Sequence, residues 1–349
     1  MVEKVKKIGY FDSSHDLPEE IIMAAGFVPE KILGNVNSAS DLADQYLFKT
    51  FCPYSRSVLN EALKDPKRWE GFIIAHGCDA TNRQFDIWKY HVETPFLYFF
   101  YKPLKTDKLA KKFLRRMIEL LIETLKKKFN VEITDEKLRK AIEISNTIKR
   151  LLRELASLRA EKNIKNSEYF NVLKRALTED KSLLIAEFTN ILNEWKNRTP
   201  FTNDKKRVLL TGSDVNYVEF FELLDSCGLR VVRDDLSIGE RYFNNEIPLN
   251  KESDPIDAII EYHLSIPRPS TKHPSDPRLD YLLKCLKQTK IDGVIVQNLK
   301  FCEPYAFDSV WITNSLKSSN IKVINIERDY SGSFDQQLKN RLEAFKEMI

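Results

Sequence analysis

The sequence predicts an α/β protein with two parallel-sheet domains separated by a helical region. Strand-like apolar runs alternate with helical segments over residues 1–104 and again over residues 200–349. Between them, residues 106–196 contain neither Gly nor Pro, and their apolar residues recur at helical spacing. Strands alternating with helices are typical of parallel sheets covered by helices. The predicted fold class is therefore α/β, with two flavodoxin-like parallel-sheet domains and a helical region between them.

The first predicted domain, residues 1–104, begins with a short strand at residues 5–11. A helix is predicted over residues 16–26, because Pro18 and two acidic residues occupy its first turn and Gly26 is placed to end it. The remaining elements are a helix from Tyr54 to Lys64, a buried strand from Gly71 to Ala75, a helix around Gln84 to Tyr90, and a strand at residues 95–101.

The helical region is predicted over residues 105–199 and the second α/β domain over residues 200–349. The second domain is predicted to contain a strand that enters a turn at Gly212-Ser213, a helix at 215–228, a strand at 229–235, and two strands at 292–297 and 322–327 around a helix near Asp308 to Lys317. Residues 240–280 contain several prolines, which predicts an irregular functional or docking loop there.

Composition excludes several classes of function. The chain has 55 Lys and Arg against 51 Asp and Glu, and a net charge of +4 is too small for the basic surface of a nucleic-acid-binding protein. No apolar stretch is long enough to span a membrane, and the first residues lack the apolar core of a signal peptide. We therefore expect a cytoplasmic protein that binds neither nucleic acid nor membrane.

Three of the five cysteines share a sequence context. Cys52, Cys78 and Cys302 each lie at a predicted turn, within the segments FCPY, HGCD and FCEPY. An odd number of widely spaced cysteines favours a reducing compartment with metal-binding or buried thiols over a disulfide framework. Ligands of doubly wound sheets lie at the carboxyl ends of strands, so these thiols could converge between the two domains. Cysteine thiolates are the usual ligands of iron–sulfur clusters.

The spacing of these cysteines does not decide between a cluster and ordinary buried thiols. A free cysteine beside a hydrophobic strand is commonly a small core residue, and spacings of 26 and 224 residues match no local metal motif. Cys227 lies beside Gly228 at the end of a predicted helix, and Cys285 lies in the amphipathic segment YLLKCLKQ, so both are interpreted as structural.

Several longer segments resemble the family of 2-hydroxyacyl-CoA dehydratase and benzoyl-CoA reductase subunits. They are LPEEIIMAAGFVPEKILG, CPYSRSVLN, GFIIAHGCDATNRQFDIW, KRVLLTGS, RVVRDDLSIGERYF, DGVIVQNLKFCEPYAFD and the final IERDYSGSFDQQLKNRLEAFKEM. Together they cover almost the whole chain, and the three cysteine segments are the specific part. The resemblance implies that Cys52, Cys78 and Cys302 bind the cluster.

The resemblance also implies the cofactor, the reaction and the partners. It implies a 4Fe-4S cluster that receives an electron from an ATP-dependent iron–sulfur activator protein, and a dehydratase (lyase) or reductase (oxidoreductase) reaction on a small substrate, with an acyl-CoA as one candidate. A heterodimer with a related subunit or a homodimer is expected. Two alternatives stay open. One is an 8Fe-9S double-cubane cluster in a homodimer that reduces small molecules without CoA, and the other is an electron-carrying iron–sulfur partner protein with no substrate site.

Four polar residues near the cysteines are candidates for tuning the cluster or moving a proton, namely His76, Asp79, Arg83 and Glu303. Each has a structural alternative: a helix N-cap for Asp79, a first-turn charge for Glu303, a surface ion pair for Arg83 and a satisfied, partly buried ring for His76. The other histidines, His15, His91, His263 and His273, show no pairing in the sequence.

Nucleotide-binding and hydrolase motifs are missing from the sequence. Thr211-Gly212-Ser213 after a strand resembles a phosphate-facing turn, but neither G-x-G-x-x-G nor G-x-x-x-x-G-K-[ST] occurs. The nucleophile pattern G-x-S-x-G is also missing. We therefore expect ATP to bind to a partner protein.

Overall fold

The fold contains two four-stranded parallel sheets, one formed by each end of the chain. A computed structural model describes residues 5–14, 17–202, 204–272 and 274–349. His15 and His273 lie outside the described residues. The α/β class with two parallel sheets and a helical region between them is confirmed, whereas the domain boundaries near residues 104 and 199 stay predictions.

The first sheet has the strand order β2-β1-β3-β4, and every neighbouring pair is parallel. Its elements are β1 (Lys7–Phe11), α1 (Glu19–Ala24), β2 (Val28–Lys31), α2 (Pro53–Lys64), β3 (Gly71–Ala75), α3 (Asp79–His91) and β4 (Leu97–Phe100). The apolar run of β3 lies in the middle of this sheet and is buried over its whole length, as the sequence predicts.

Strand β2 is missing from the sequence-based prediction. Its sequence, VPEK, has a proline and two charged residues and no apolar run. Proline is tolerated in an edge strand, and β2 lies at the edge of the sheet. The charged side chains are buried because they are paired: Lys31 bonds Asp12, and Glu30 bonds Lys7 and Arg68.

Four helices form the predicted helical region. They are α4 (Lys108–Phe129), α5 (Asp135–Leu158), α6 (Asn166–Thr178) and α7 (Lys181–Lys196). Helices α4 and α5 contribute buried residues to the core of the first sheet, while α5, α6 and α7 contribute to the core of the second. Helix α5 therefore connects the two sheets through shared packing.

The second sheet repeats the topology of the first, with the parallel order β6-β5-β7-β8. Its elements are β5 (Lys206–Gly212), α8 (Val218–Ser226), β6 (Leu229–Asp235), α9 (Pro255–Ser265), α10 (Asp276–Gln288), β7 (Gly293–Leu299), α11 (Glu303–Ser318), β8 (Val323–Arg328) and α12 (Gln336–Met348).

The prediction of an irregular loop over residues 240–280 is wrong at α9. The Asp254 carboxylate accepts a hydrogen bond from the amide of Ile256 at 2.8 Å, and Pro255 occupies the first helical position. Both are standard helix-start signals. Helix α9 packs on α4, and its residues Ile259 and Ile260 are fully buried. This helix therefore belongs to the core.

Helices α3 and α11 begin earlier than predicted. Helix α3 begins at Asp79 rather than near Gln84, and α11 begins at Glu303 rather than near Asp308. Each helix thus starts directly after a cysteine, Cys78 or Cys302. The thiols of Cys78 and Cys302 therefore lie at the positive ends of two helices, where negative charge is favoured.

Candidate functional site

The three cysteines with a shared context meet at one cavity. Cys52, Cys78 and Cys302 line a cavity of about 50 Å³ whose walls come from both halves of the chain. A cavity needs a volume of roughly 10 to 15 Å³ to hold one ordered water, so this cavity has room for a compact group of several atoms. The convergence expected from the sequence is therefore present in the structure.

The order of the strands in the two sheets explains where the cavity lies. In the first sheet the chain leaves β1 toward β2 on one side and returns to β3 on the other, and in the second sheet β5 and β7 are related in the same way. Ligands of open parallel sheets bind at such switch points, outside the carboxyl ends of the strands. Phe11 ends β1 and Leu299 ends β7, and both side chains line the cavity. The two switch points therefore face the same space.

Each cysteine occupies the position directly before a helix. Cys52 precedes α2, Cys78 precedes α3 and Cys302 precedes α11. The first amides of a helix lack partners within the helix, and the positive end of the helix dipole favours negative charge. Amides of the first turns bond the sulfur atoms; those of Tyr54 and Ser55 bond the sulfur of Cys52. Three helix ends therefore stabilise thiolates at this cavity.

Without a compensating cation the thiols stay protonated. Burial raises the pKa of Cys52, and the charges of Cys302 and Cys78 raise it further. Burial likewise raises the pKa of Cys78, and it raises the pKa of Cys302 to about 11. A bound metal centre removes this penalty, because thiolate ligands lose their protons when they bind metal.

Hydroxyl groups surround the same sulfur atoms. The Thr81 hydroxyl lies 3.9 Å from the sulfur of Cys78 and donates to its carbonyl oxygen at 2.7 Å. The hydroxyl of Ser213 bonds the sulfur of Cys302 and also accepts from the amide of Leu299 at 2.9 Å. The predicted phosphate-facing turn at Thr211-Gly212-Ser213 thus faces a cysteine through its serine.

The donor groups at the cavity can be compared with the needs of a metal centre. Over residues 5–14, 17–202, 204–272 and 274–349, no three His, Cys, Asp or Glu side chains lie close enough to hold one metal ion. Ligands at separate corners of a cluster lie farther apart than ligands that share one ion. Among the described lining residues there are three thiols at helix starts, with amide and hydroxyl donors and one carboxylate, and this donor set has the chemistry that an iron–sulfur cluster requires.

That carboxylate, Asp214, was missed in the sequence. It lines the cavity, and burial raises its pKa although the charges of Lys31 and Arg241 and a hydrogen bond from Ser237 oppose the shift. The Ser237 hydroxyl donates to Asp214 Oδ1 at 2.7 Å. Its position in the sequence could have indicated it, because Asp214 comes shortly after the end of β5, as Asp12 comes directly after the end of β1.

The four polar candidates named from the sequence lie away from the cavity lining. The side chains of Asp79 and Arg83 are 78% and 62% exposed and approach each other at 3.6 Å. Glu303 is an exposed first-turn residue of α11. His76 is half-buried, and its ring stacks on Tyr101 with a centroid distance of 6.4 Å. The structural alternatives therefore describe the surroundings of Arg83 and Glu303, whereas the N-cap position expected for Asp79 is occupied by Cys78 and Asp79 is the first residue of α3.

The remaining cysteines and histidines have other surroundings. Cys227 and Cys285 are buried in two different hydrophobic cores, and the sulfur of Cys285 accepts a hydrogen bond from Arg233 Nη2 at 3.1 Å. His91 stacks on Tyr46 at 4.5 Å, and His263 is buried against Tyr262. None of these four side chains lines the cysteine cavity.

No helix among the described residues combines the length and the apolar character needed to cross a bilayer.

Comparison with known proteins finds relatives that match nearly the whole chain. The chain is 25% identical over 336 residues to the (R)-phenyllactyl-CoA dehydratase beta subunit of Clostridium sporogenes, with 95% of this chain and 89% of the relative covered. It is 25% identical over 345 residues to the beta subunit of lactoyl-CoA dehydratase of Anaerotignum propionicum, with the same coverage. It is 22% identical over 353 residues to a benzoyl-CoA reductase subunit of Thauera aromatica, with 95% and 88% covered.

These relatives are components of dehydratases and of a reductase. The family described as 2-hydroxyglutaryl-CoA dehydratase, D-component, matches residues 15–349, which include all three cavity cysteines and nearly the whole chain. The protein therefore belongs to the 2-hydroxyglutaryl-CoA dehydratase D-component family.

Proposed function

We propose that this protein is the iron–sulfur component of a system that dehydrates or reduces a small substrate with a low-potential electron. The observation that carries the proposal is the meeting of Cys52, Cys78 and Cys302 at one cavity, each at the start of a helix. A 4Fe-4S cluster bound by three thiolates supplies low-potential electron storage and one iron with an open coordination position.

The residues of this chain would hold and tune the cluster. The amides of the three helix starts and the hydroxyls of Thr81 and Ser213 bond the thiolate sulfurs and favour their charged form. Phe11 and Leu299 cover the cavity with apolar surface, which limits the access of water. Asp214 is the carboxyl group placed to exchange a proton with a substrate there, because burial favours its protonated form.

An acyl-CoA substrate is supported by the names of the relatives, which act on phenyllactyl-CoA, lactoyl-CoA and benzoyl-CoA. The described residues that line the cysteine cavity include no Lys or Arg, and the cavity is much smaller than a ligand site for a molecule of that size. Only the reacting end of such a substrate would enter it. The nucleotide portion of CoA would then lie on a related subunit, which the relatives' designations as subunits support.

The electron source would be an ATP-dependent iron–sulfur activator protein. The chain has no phosphate-binding loop of the nucleotide-hydrolysing type. ATP hydrolysis on a partner would then drive the electron toward the cavity. We place this protein in the cytoplasm, where thiols stay reduced.

A double-cubane homodimer without CoA is the second candidate. Exposed aromatic side chains close to Cys52 or Cys302 in the sequence favour it: Phe48 is 85% exposed, Phe301 45% and Phe307 79%. Exposed apolar groups beside a site mark contact surfaces. Two copies joined there would bring two sets of three cysteines together, as an 8Fe-9S cluster requires.

Anaerobic purification with iron and sulfide analysis, electron paramagnetic resonance and a measurement of molecular mass tests the proposal. The 4Fe-4S assignment predicts about four irons for each chain and no larger coupled cluster. A coupled cluster of eight irons shared by two identical chains would replace it with the double-cubane alternative. A protein that binds no iron under anaerobic reconstitution would contradict both.

A further inference from the structure

The side chain of Tyr54 lines the cysteine cavity, and its buried hydroxyl has no partner among the residues that the structure describes. Tyr54 lies in the first turn of α2, two residues after Cys52, and its side chain is 6% exposed. Its ring lines the cavity, yet among the described residues its hydroxyl has no hydrogen-bond partner. Burying a hydroxyl without a partner costs free energy, so such a group indicates a missing acceptor or donor.

The ring of Tyr54 is held by two other aromatic rings. Phe11 packs edge-on against it with a centroid distance of 5.6 Å, and Tyr330 stacks at 6.1 Å. Aromatic packing of this kind fixes the position of the ring and therefore of its hydroxyl. The side chain of this cavity-lining residue is therefore held in one position.

Two neighbouring tyrosines, the half-buried Tyr330 and the buried Tyr305, differ from Tyr54. The hydroxyl of Tyr330 accepts from Asn216 Nδ2 at 2.7 Å, and that of Tyr305, which also lines the cavity, accepts from Arg241 Nη1 at 2.9 Å. Asp214 shares the cavity with Tyr54, but its carboxylate is bonded by Ser237. The protein therefore satisfies these neighbouring polar groups itself, whereas the hydroxyl of Tyr54 has no partner among the described residues.

We propose that Tyr54 donates a hydrogen bond to the iron–sulfur cluster held by the three cysteines, and that this bond raises the reduction potential of the cluster. The inference rests on the proposed function, because it requires a cluster at the cavity. The physical reason is charge. Reduction adds one negative charge to the cluster, and a hydrogen-bond donor stabilises the more negative form more strongly. Loss of the donor would make reduction harder.

Tyr54→Phe tests this inference because it removes only the hydroxyl. The matched control is Tyr169→Phe in α6. Tyr169 is also buried and its hydroxyl also lacks a partner among the described residues, but it does not line the cavity. The holoproteins are titrated anaerobically with dithionite, which gives one electron to the cluster, and the reduced fraction is followed by electron paramagnetic resonance at poised potentials.

The expected result is unchanged iron content in both variants and a more negative midpoint potential in Tyr54→Phe alone. One charge-assisted hydrogen bond corresponds to a change of about tenfold in the ratio of reduced to oxidised cluster at a fixed potential, or roughly 59 mV for a one-electron couple. Equal potentials in the wild type and Tyr54→Phe would overturn the inference while leaving the proposed function intact. A wild type without iron would refute both.

Thermal unfolding of the cluster-free proteins separates this role from a structural one. Since the hydroxyl has no partner among the described residues, Tyr54→Phe should keep or raise the Tm of the cluster-free form. A lowered Tm would show that the hydroxyl has a partner within the protein, and it would contradict the proposal.

Discussion

Arg241 donates a hydrogen bond from Nη1 to the hydroxyl of Tyr305 at 2.9 Å, and this contact joins a buried charge network to the wall of the cysteine cavity. Arg241 also forms an ion pair with Asp235 at 2.7 Å in which both side chains are fully buried. Arg278 bonds the other oxygen of Asp235 at 3.1 Å. The network fixes Tyr305 three residues after Cys302, and so it supports the start of α11.

Arg241→Met should destabilise the protein strongly. The substitution leaves Asp235 buried with Arg278 as its remaining cation and removes the hydrogen bond to Tyr305. Breaking a buried ion pair costs about 3 to 5 kcal/mol because one charge loses its partner. Urea unfolding of the cluster-free protein measures the loss. Arg83→Ala, at a side chain 62% exposed, is the surface control and should change the free energy of unfolding by less than about 0.5 kcal/mol. Equal effects of the two substitutions would contradict the importance of the network.

Serine at any of the three cavity cysteines should abolish normal cluster binding. We expect Cys52→Ser, Cys78→Ser and Cys302→Ser to lower the iron and sulfide content after anaerobic reconstitution, because the cluster loses one of its three thiolates. Cys227→Ala and Cys285→Ala are the controls, since both side chains lie in hydrophobic cores and should leave the iron content unchanged. Full iron content in Cys302→Ser would show that the third ligand is another residue.

Acid stability should depend on Glu20. Burial alone would raise the pKa of Glu20, but the charges of Lys149 and His263 and a hydrogen bond from Ser145 lower it to about 2. Lys149 Nζ lies 2.9 Å and Ser145 Oγ 2.6 Å from Glu20 Oε1. A carboxyl whose pKa is lower in the folded than in the unfolded protein stabilises the fold at pH values above its unfolded pKa, near 4.5. The stabilisation is lost as the pH falls from about 4.5 to 2.

Glu20→Gln isolates this contribution. Above about pH 5 the variant should be less stable than the wild type by about 3 kcal/mol. The difference should shrink as the pH falls toward 2, because the protonated carboxyl then resembles the amide. Urea unfolding of both cluster-free proteins at several pH values measures the difference. A difference that stays constant down to pH 2 would contradict the lowered pKa.

The strands and the cavity cysteines could be predicted because their signals are local. The buried run Gly71–Ala75 has the length and composition of a central parallel strand. Cys52, Cys78 and Cys302 each lie at a predicted turn after an apolar run. Because ligands of parallel sheets lie at the carboxyl ends of the strands, the three thiols could be expected to meet. Strand β2 could not be predicted, because its charged residues do not look like those of a buried strand. They are buried because they pair with residues distant in the sequence, as Lys31 does with Asp12.

The polar residues of the cavity could not be predicted from nearness to a cysteine in the sequence. Asp79 and Glu303 adjoin cysteines along the chain, but the first helical turn directs them to solvent. Asp214 and Ser213 are far from every cavity cysteine in sequence, and they reach the cavity because β5 lies beside β7, which leads to Cys302. Contact across neighbouring strands, rather than sequence distance, determines what surrounds the thiols.

Gly212→Ala should disrupt both the fold and the cavity. Gly212 has a φ of +125°, and a Cβ atom there would overlap the carbonyl oxygen of Gln297 on the neighbouring strand. Backbone strain and overlap with main-chain atoms together cost about 3 kcal/mol or more. Because Ser213 follows directly and bonds the sulfur of Cys302, we also expect a lower iron content after reconstitution.

Gly26→Ala is the matched control for this substitution. Gly26 also has a positive φ, +87°, but nothing lies within 4 Å of the position that a Cβ would occupy. Only the strain of a left-handed backbone remains, which costs about 1 kcal/mol, and the iron content should not change because Gly26 is not part of the cavity lining. Urea unfolding and iron analysis of the two variants compare the effects. If Gly212→Ala retained both the stability and the iron content of Gly26→Ala, the close approach of β5 and β7 would not determine the geometry around Cys302.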